Sequence, residues 1–448
     1  MPQAVPGDQI PLYDVVGVGF GPSNLALAIA LTEHNAAAGE PVTAHFLEKQ
    51  PAFGWHRGML IETATMQVSF LKDLVTMRNP TSSFSFLAYL QSKDRLVDFI
   101  NHKNLFPLRV EFHDYFEWAA AKVDDLVSYS SEVSAVTPVV VDGVVVYFDV
   151  RVSGGAGEDI VLRARNLVVG TGLRPNLPDG VIESDRIWHN SKLLHRIEGL
   201  KDSEPQRFVV VGAGQSAAEV TALLHDRFGE AEVCGVFSRY GYSPSDDSAF
   251  ANRIFDPEAV DHFYDAPEEF KQRLMRYHGN TNYSAVDIEL IDDLYRRIYR
   301  EKVLGRRRLR LLNMSRPVDV AESADGVRMT VESFVDGERT VLDADIVVYA
   351  TGYSSADALP LLGELSPFCE RDENGRLRVE RDYRLRTAPG LRGGIYLQGG
   401  TEHSHGITSS LLSNTAVRVG EILDSIVERQ AVDVEEEPAF AVSGRRSR

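Results

Sequence analysis

The chain has 448 residues, 44% of them hydrophobic and 25% charged, an ordinary globular composition that excludes a disordered or fibrous polypeptide and has length for two or three domains. Lys and Arg number 47 against 65 Asp and Glu, a formal charge of −18, so the long-range field repels a phosphate polymer and nucleic acid is not an expected partner. Two cysteines, Cys234 and Cys369, cannot build a disulfide framework or a metal site. The absence of a signal-like start and of any long apolar run makes a soluble, cytoplasmic protein without a membrane partner the expectation.

In chain order, the polar, Pro-containing residues 1–11 read as a loose tail. Tyr13 to Gly17 reads as a buried strand that breaks into a Gly-rich turn, and Asn24 to Leu31 as an apolar helix. A second strand, Val42 to Leu47, ends in Glu48. The segment NLVVGTG, Asn166 to Gly172, is an apolar strand ending in Thr-Gly. A second unit of the opening kind starts at Arg207, where FVVVG runs into GAGQSAAEVTALL, followed by a strand from Ala231 to Phe237 that ends at Ser238 and Arg239. Residues 250–300 have helical period and read as a small subdomain over the cleft. The basic stretch from Arg296 to Arg310, with Arg306, Arg307 and Arg308, interleaves with Leu294, Ile298, Val303 and Leu309 and reads as a solvated helix face or inter-domain surface. DIVVYATG, Asp345 to Gly352, nearly copies the earlier Thr-Gly strand, and the chain is expected to return at Ala344 to finish the first sheet. The expected fold is therefore α/β. A dinucleotide-binding domain (12–200 and 340–432) would carry an inserted second one (205–335, including the 250–300 subdomain), with a tail from 433 to 448.

In a Rossmann turn the glycines permit the tight bend and the close approach of pyrophosphate, while the helix N-terminus supplies N–H groups and a positive dipole end. Gly17, Gly19 and Gly21 supply the first turn, with Pro22 at the third fingerprint position, where its missing N–H costs no helix bond. Glu48 stands at the strand end where ribose hydroxyls bind. The second turn has Gly212, Ala213, Gly214 and Ala217, with Gln215 and Ser216 between, and its strand end carries Arg239 in place of an acid. Arginine there suits the 2′-phosphate of NADP, so NADPH is expected over NADH. Lys72, inside the apolar FLKDL, pairs with Asp73 or another acid, or waits for a ligand carboxylate. Asn252 and Asn282, by residue type alone, read as helix caps or turn residues. His403 and His405 flank a Gly-rich turn with no third ligand in view, and no metal site is expected.

From about residue 13 to about residue 430 the sequence resembles the microbial flavin-dependent N-hydroxylating monooxygenases, in particular the L-ornithine N5-monooxygenases of siderophore and related pathways. The blocks that carry the resemblance are DVVGVGFGPSNLALA, MQVSFLKDLVTMRNPTSSFSFLAYL, VVVGAGQSAAE, PSDDSAFANRIFDP, NTNYS, YATGY and GGTEHSHGITSSLLSN. It implies that Glu48 and the segment from Lys49 to His56, with Trp55, lie along FAD, that Gln67 contacts the flavin, and that Ser410, Leu411 and Leu412 close over it. It further implies that Gln215, Ser216 and Arg239 hold NADPH. The α-carboxylate of L-ornithine would meet Lys72 and Asn252, with Asn282 near the reacting amine and also at NADPH, and Ser413 close by. The implied cycle is hydride transfer from NADPH to FAD, reaction with O2, and attack of the neutral amine on a flavin C4a-hydroperoxide, with no obligatory protein general base and, by family, a homotetramer. The alternatives are N-hydroxylation of lysine, another amino acid or a diamine, a disulfide reductase, which would need a C-x-x-x-x-C that is missing, and a non-enzymatic flavin-binding regulator.

Overall fold

The computed structural model describes residues 10–154, 159–200, 204–246 and 248–436. The first sheet is built on the strand Leu12–Val18, whose apolar run is buried on both faces. Ala44–Leu47 pairs with it in parallel on one side and Asp159–Val169 on the other. Val127–Ser128 extends the sheet beyond Ala44–Leu47, and Ile395–Leu397 pairs in parallel with the end of Asp159–Val169. The antiparallel hairpin Ser131–Val141 and Val144–Gly154 continues the far edge. One face carries helix Pro22–Ala37, helix Arg109–Ala121 and the last helix, Thr415–Glu436, around a core including Leu25, Ile29, Phe86, Phe112, Phe116 and Ile422.

The second sheet is wholly parallel, in the order Leu309–Leu312, Glu232–Val236, Arg207–Val211, Ile346–Tyr349, Ile187–His189. Helix Gln215–Arg227 covers one face and the antiparallel meander Ser315–Ser323, Gly326–Ser333, Arg339–Ala344 packs on the other.

Three expectations change. Ile346–Tyr349 joins the second sheet beside Arg207–Val211, and the chain returns to the first sheet only at Ile395–Leu397. The two near-copied Thr-Gly strands thus occupy equivalent places, each parallel to the strand that opens a Gly turn. In both, the turn glycine lets the two backbones close: a Cβ on Gly19 (φ +82°) would lie 2.5 Å from the Gly170 carbonyl oxygen, and one on Gly212 (φ +143°) 2.3 Å from that of Ala350. Within 250–300, helix Ile288–Val303 sends Leu290, Ile291, Leu294 and Ile298 into the second core, so only the helices Pro257–Asp265 and Glu268–His278 stand apart from it. The last helix continues through Glu436, inside the segment read as a tail, while residues 1–9 and 437–448 lie outside the described residues.

Candidate active site: two nucleotide turns and the residues between them

Both Gly turns end at a helix whose N-terminus is uncapped by any side chain and has no acid in its first turn, Gly21 before Pro22–Ala37 and Gly214 before Gln215–Arg227. Their first-turn amides and positive dipole ends are therefore left for an anion. The space a Cβ would take at Gly21 is empty to 4 Å. Glu48 is buried and accepts from the backbone N–H groups of Phe20 (2.7 Å) and Gln50 (2.9 Å), which leaves each oxygen a lone pair for a further donor. These features fit FAD at the first turn. Trp55 and Leu412 pack on the same core, on either side of it in sequence. His56, with φ +50°, stands edge-on to Trp55 and Tyr353, and its pKa is pushed down to about 4 by the surrounding protein and by the Arg109 guanidinium.

At the second turn, Gly214 backs onto Ser284, whose Cα would be 3.3 Å from an added Cβ. Arg239 Nη1 donates to the Ser284 carbonyl at 3.1 Å. The NTNYS segment is thereby tied to the turn and to the strand-end arginine expected at a 2′-phosphate. Beside Asn282, Tyr283 Oη donates to Glu402 Oε2 at 3.0 Å. Burial raises the Glu402 pKa, an effect the Tyr283 hydrogen bond opposes.

Gln67 is exposed toward the space between the two units, and its Nε2 donates to Asp287 Oδ2 at 2.7 Å. The same oxygen accepts from Gln215 Nε2 at 3.1 Å, while the Asp287 N–H donates to Gln215 Oε1 at 2.9 Å. Gln215 Nε2 also reaches Glu219 Oε1 (3.0 Å), which Arg109 holds in a two-pronged, nearly buried ion pair. Sequence reading missed Asp287, Arg109 and Glu219. A signal existed for Asp287, an acid opening a helix directly after NTNYSAV, whereas Arg109 and Glu219 look like ordinary helix charges.

Lys72 is half-buried and Asp73 is not its partner: the Asp73 carboxylate is used by the N–H groups of Val75, Thr76 and Phe86 and by the Thr76 hydroxyl. Among the described residues no carboxylate forms an ion pair with Lys72, whose ammonium lies 5.8 Å from the Phe255 ring centroid. Burial lowers its pKa, and Asp256 opposes that shift. Phe255 belongs to the 3-10 turn Ala251–Phe255, which also carries Asn252; the Asn252 Nδ2 makes a 3.4 Å bond to the Ser248 carbonyl. Ser413 is buried in the turn Leu412–Asn414, directly after Ser410 and Leu411. Lys49 is exposed at the strand end. His403 and His405 each reach a backbone carbonyl, of Leu377 and Arg381, and no cluster able to hold a metal occurs among the described residues. No helix among the described residues is long and apolar enough to cross a membrane.

Two uncapped dinucleotide turns, each opened by the central parallel strands of a separate sheet, one followed by an acid and one by an arginine, define a two-dinucleotide flavoprotein oxidoreductase. Residues 11–355 match the family described as L-lysine 6-monooxygenase/L-ornithine 5-monooxygenase, and the chain belongs to that family. It is 42% identical over 403 residues to an L-ornithine N(5)-monooxygenase of Burkholderia cepacia, covering 88% of this chain and 90% of the relative. Among solved structures, an ornithine N-hydroxylase of Kutzneria sp. 744, with reduced FAD, NADP+ and L-ornithine, aligns with a TM-score of 0.90 at 48% identity over 94% of this chain and all of that one. An ornithine hydroxylase of Pseudomonas aeruginosa aligns with a TM-score of 0.88 at 37% identity, over 94% of this chain and all of its own.

Proposed function

We propose that the chain is an FAD- and NADPH-dependent monooxygenase that hydroxylates N5 of L-ornithine with O2, holding FAD at the Gly17–Pro22 turn and NADPH at the Gly212–Ser216 turn. One amine, one O2, one NADPH and one proton yield one hydroxylamine, one water and one NADP+. Lys72 carries the reading: a half-buried ammonium without an ion-pair partner among the described residues, beside the turn of Asn252, is what a ligand carboxylate requires.

Bound FAD supplies the redox and oxygen chemistry. The chain's own residues bind, orient and exclude water. Lys72 and Asn252 take the α-carboxylate, Asn282 and Ser413 face the reacting end, and Arg239 takes the 2′-phosphate of NADPH. Gln67 and the segment Ser410 to Leu412 bound the flavin, with Lys49, Trp55 and His56 along it. With the carboxylate pinned, the length of the side chain sets where the amine arrives, and small misplacements are costly. No protein general base is assigned.

The first sheet and its helices, in 12–200 and 340–432, form the FAD unit, and 205–335 the NADPH unit, with Ile187–His189 and Ile346–Tyr349 serving the second sheet. The enzyme works as a cytoplasmic homo-oligomer, a tetramer by family resemblance, for siderophore or other N-hydroxylated products. Lysine would use the same carboxylate contacts, whereas a diamine would leave Lys72 unpaired.

The test is hydroxylated product from purified protein, NADPH and O2 with L-ornithine, L-lysine and 1,4-diaminobutane in parallel. Ornithine is expected to exceed both others by about tenfold or more in kcat/KM. Equal or greater product from lysine or the diamine rejects the assignment.

A further inference from the structure

Arg418 lies in the first turns of the last helix, Thr415–Glu436, and is only 2% exposed. Its guanidinium donates to four neutral acceptors: Nε to Gln398 Oε1 (3.3 Å), Nη1 to the Ser409 carbonyl (2.6 Å), and Nη2 to Ser23 Oγ (3.1 Å) and Thr415 Oγ1 (3.3 Å). Among the described residues no carboxylate forms an ion pair with it. Glu421, one helical turn on, is taken by Arg381 through both carboxylate oxygens. The nearest aromatic face, Tyr383, is 6.0 Å away.

A buried guanidinium satisfied only by neutral groups is costly, and the setting makes it more so. Ser23 is in the first turn of Pro22–Ala37 and Thr415 opens Thr415–Glu436, so two positive helix ends converge on a buried cation. Burial pulls the guanidinium's pKa below its usual value. Gln398 extends the arrangement to the nucleotide turn itself, donating to the Ser23 carbonyl (3.1 Å) and Asn24 Oδ1 (3.0 Å). Asn24 Nδ2 in turn donates to the Gly19 carbonyl at 2.6 Å. The charge has a direct hydrogen-bonded route to the Gly19–Pro22 turn and, through Ser409, to the segment that precedes Ser410 to Leu412.

We propose that Arg418 is a positioning residue whose buried charge balances the diphosphate of the flavin dinucleotide at the Gly19–Pro22 turn and ties that turn to the Ser409–Leu412 segment over the flavin. The inference rests on the assignment of FAD to that turn. The protein stores a cation beneath the site, and the diphosphate anion supplies the partner the fold omits. Charge attraction in a low-dielectric interior remains strong without direct contact.

The test compares ligands with and without the diphosphate. Apoprotein is titrated with FAD and with riboflavin, following flavin fluorescence, in the parent, Arg418→Met and Arg418→Lys, and the melting temperature is read with and without FAD. The methionine variant is expected to bind FAD about ten- to a hundredfold more weakly and riboflavin within twofold of the parent. Its apoprotein should melt at or above the parent's temperature while the FAD-induced rise shrinks, and lysine should restore part of the FAD affinity. An equal loss for FAD and riboflavin, or no loss of FAD affinity, overturns the inference. Should the methionine variant not fold, the same titrations on Arg418→Gln against Arg418→Lys decide in the same terms. A parent chain that binds neither flavin overturns instead the assignment of the turn to FAD.

Discussion

Gln67 and Asp287, 220 residues apart, meet in a 2.7 Å hydrogen bond that joins the segment expected at the flavin to the helix start that also holds Gln215 of the second nucleotide turn. One carboxylate oxygen thus serves both units. The second core also takes in Met59, Ile61 and Ala64 from the segment just before Gln67, so apolar packing and this polar link together set how the two turns face each other.

Gln67→Ala and Asp287→Ala should be energetically coupled. A thermal or denaturant double-mutant cycle should give a coupling of about 1–2 kcal/mol, as for a hydrogen bond to a charged acceptor. Additivity of the two losses to within about 0.3 kcal/mol would show the bond to be absent or inconsequential.

Arg239 should govern the choice of reductant. Losing a charge-assisted contact costs about 1.5–3 kcal/mol, so NADPH should exceed NADH by about ten- to a hundredfold in kcat/KM for flavin reduction. Arg239→Ala should narrow that gap and also loosen the NTNYS segment, whose Ser284 carbonyl it holds. Equal use of the two nucleotides by the parent rejects the role.

The pH profile should be bell-shaped. A free alkyl ammonium titrates near 10.4, so the reactive amine fraction grows with pH through the range of about 6 to 9. Lys72 must stay protonated to hold the carboxylate, and burial places its pKa below the ordinary lysine value. Ornithine binding should therefore weaken at a lower pH than an unperturbed lysine would allow. Single-turnover hydroxylation that is flat from pH 6 to 9 argues against attack by a neutral amine, and a KM that stays constant into the lysine range argues against Lys72 as the anchor.

Acid should destabilise the fold through His405. It is 1% exposed, stacked on Tyr383 at 4.1 Å, with Nε2 on the Arg381 carbonyl and Nδ1 on Ser404 Oγ, and its pKa is pushed down to about 3 by burial. The unfolded chain takes up this proton near pH 6.5 and the folded chain does not. Above pH 6.5 the two states are alike, and stability falls as pH drops from 6.5 toward 3, by up to about 1.4 kcal/mol per unit. His45, His113 and His189 are lowered by burial and add in the same sense. His405→Phe should reduce the slope of stability against pH by about one proton. An unchanged slope would mean that His405 charges within the folded state.

The elements with strong periodicity and punctuation were legible: both Gly turns, their strands and helices, and the contrast between Glu48 and Arg239. The strand Ile346–Tyr349 was not assignable to its sheet, because DIVVYATG and NLVVGTG suit the same position in either one, and Ile395–Leu397 is too short to announce itself. Helix Ile288–Val303 shows its apolar stripe in the sequence, but not which core receives it. Lys72 is legible as a lone cation among apolar residues, yet only the structure shows Asp73 consumed by backbone amides. Arg418 carries no sequence signal of its role, since a charged residue near a helix start is ordinarily solvated.

The carboxylate anchor is tested most directly by measuring kcat/KM for hydroxylated product with L-ornithine and with 1,4-diaminobutane, in the parent and in Lys72→Met, which keeps the stem and drops the charge. Losing the contact in a partly dry site should cost about 2–4 kcal/mol, lowering the ornithine value roughly thirty- to several-hundredfold. The diamine value should remain near that of the parent, with flavin reduction by NADPH unchanged and oxygen diverted to hydrogen peroxide in the ornithine reaction. A Lys72→Met protein that retains its preference for ornithine over the diamine to within about twofold would contradict the account and move the substrate carboxylate elsewhere in the site.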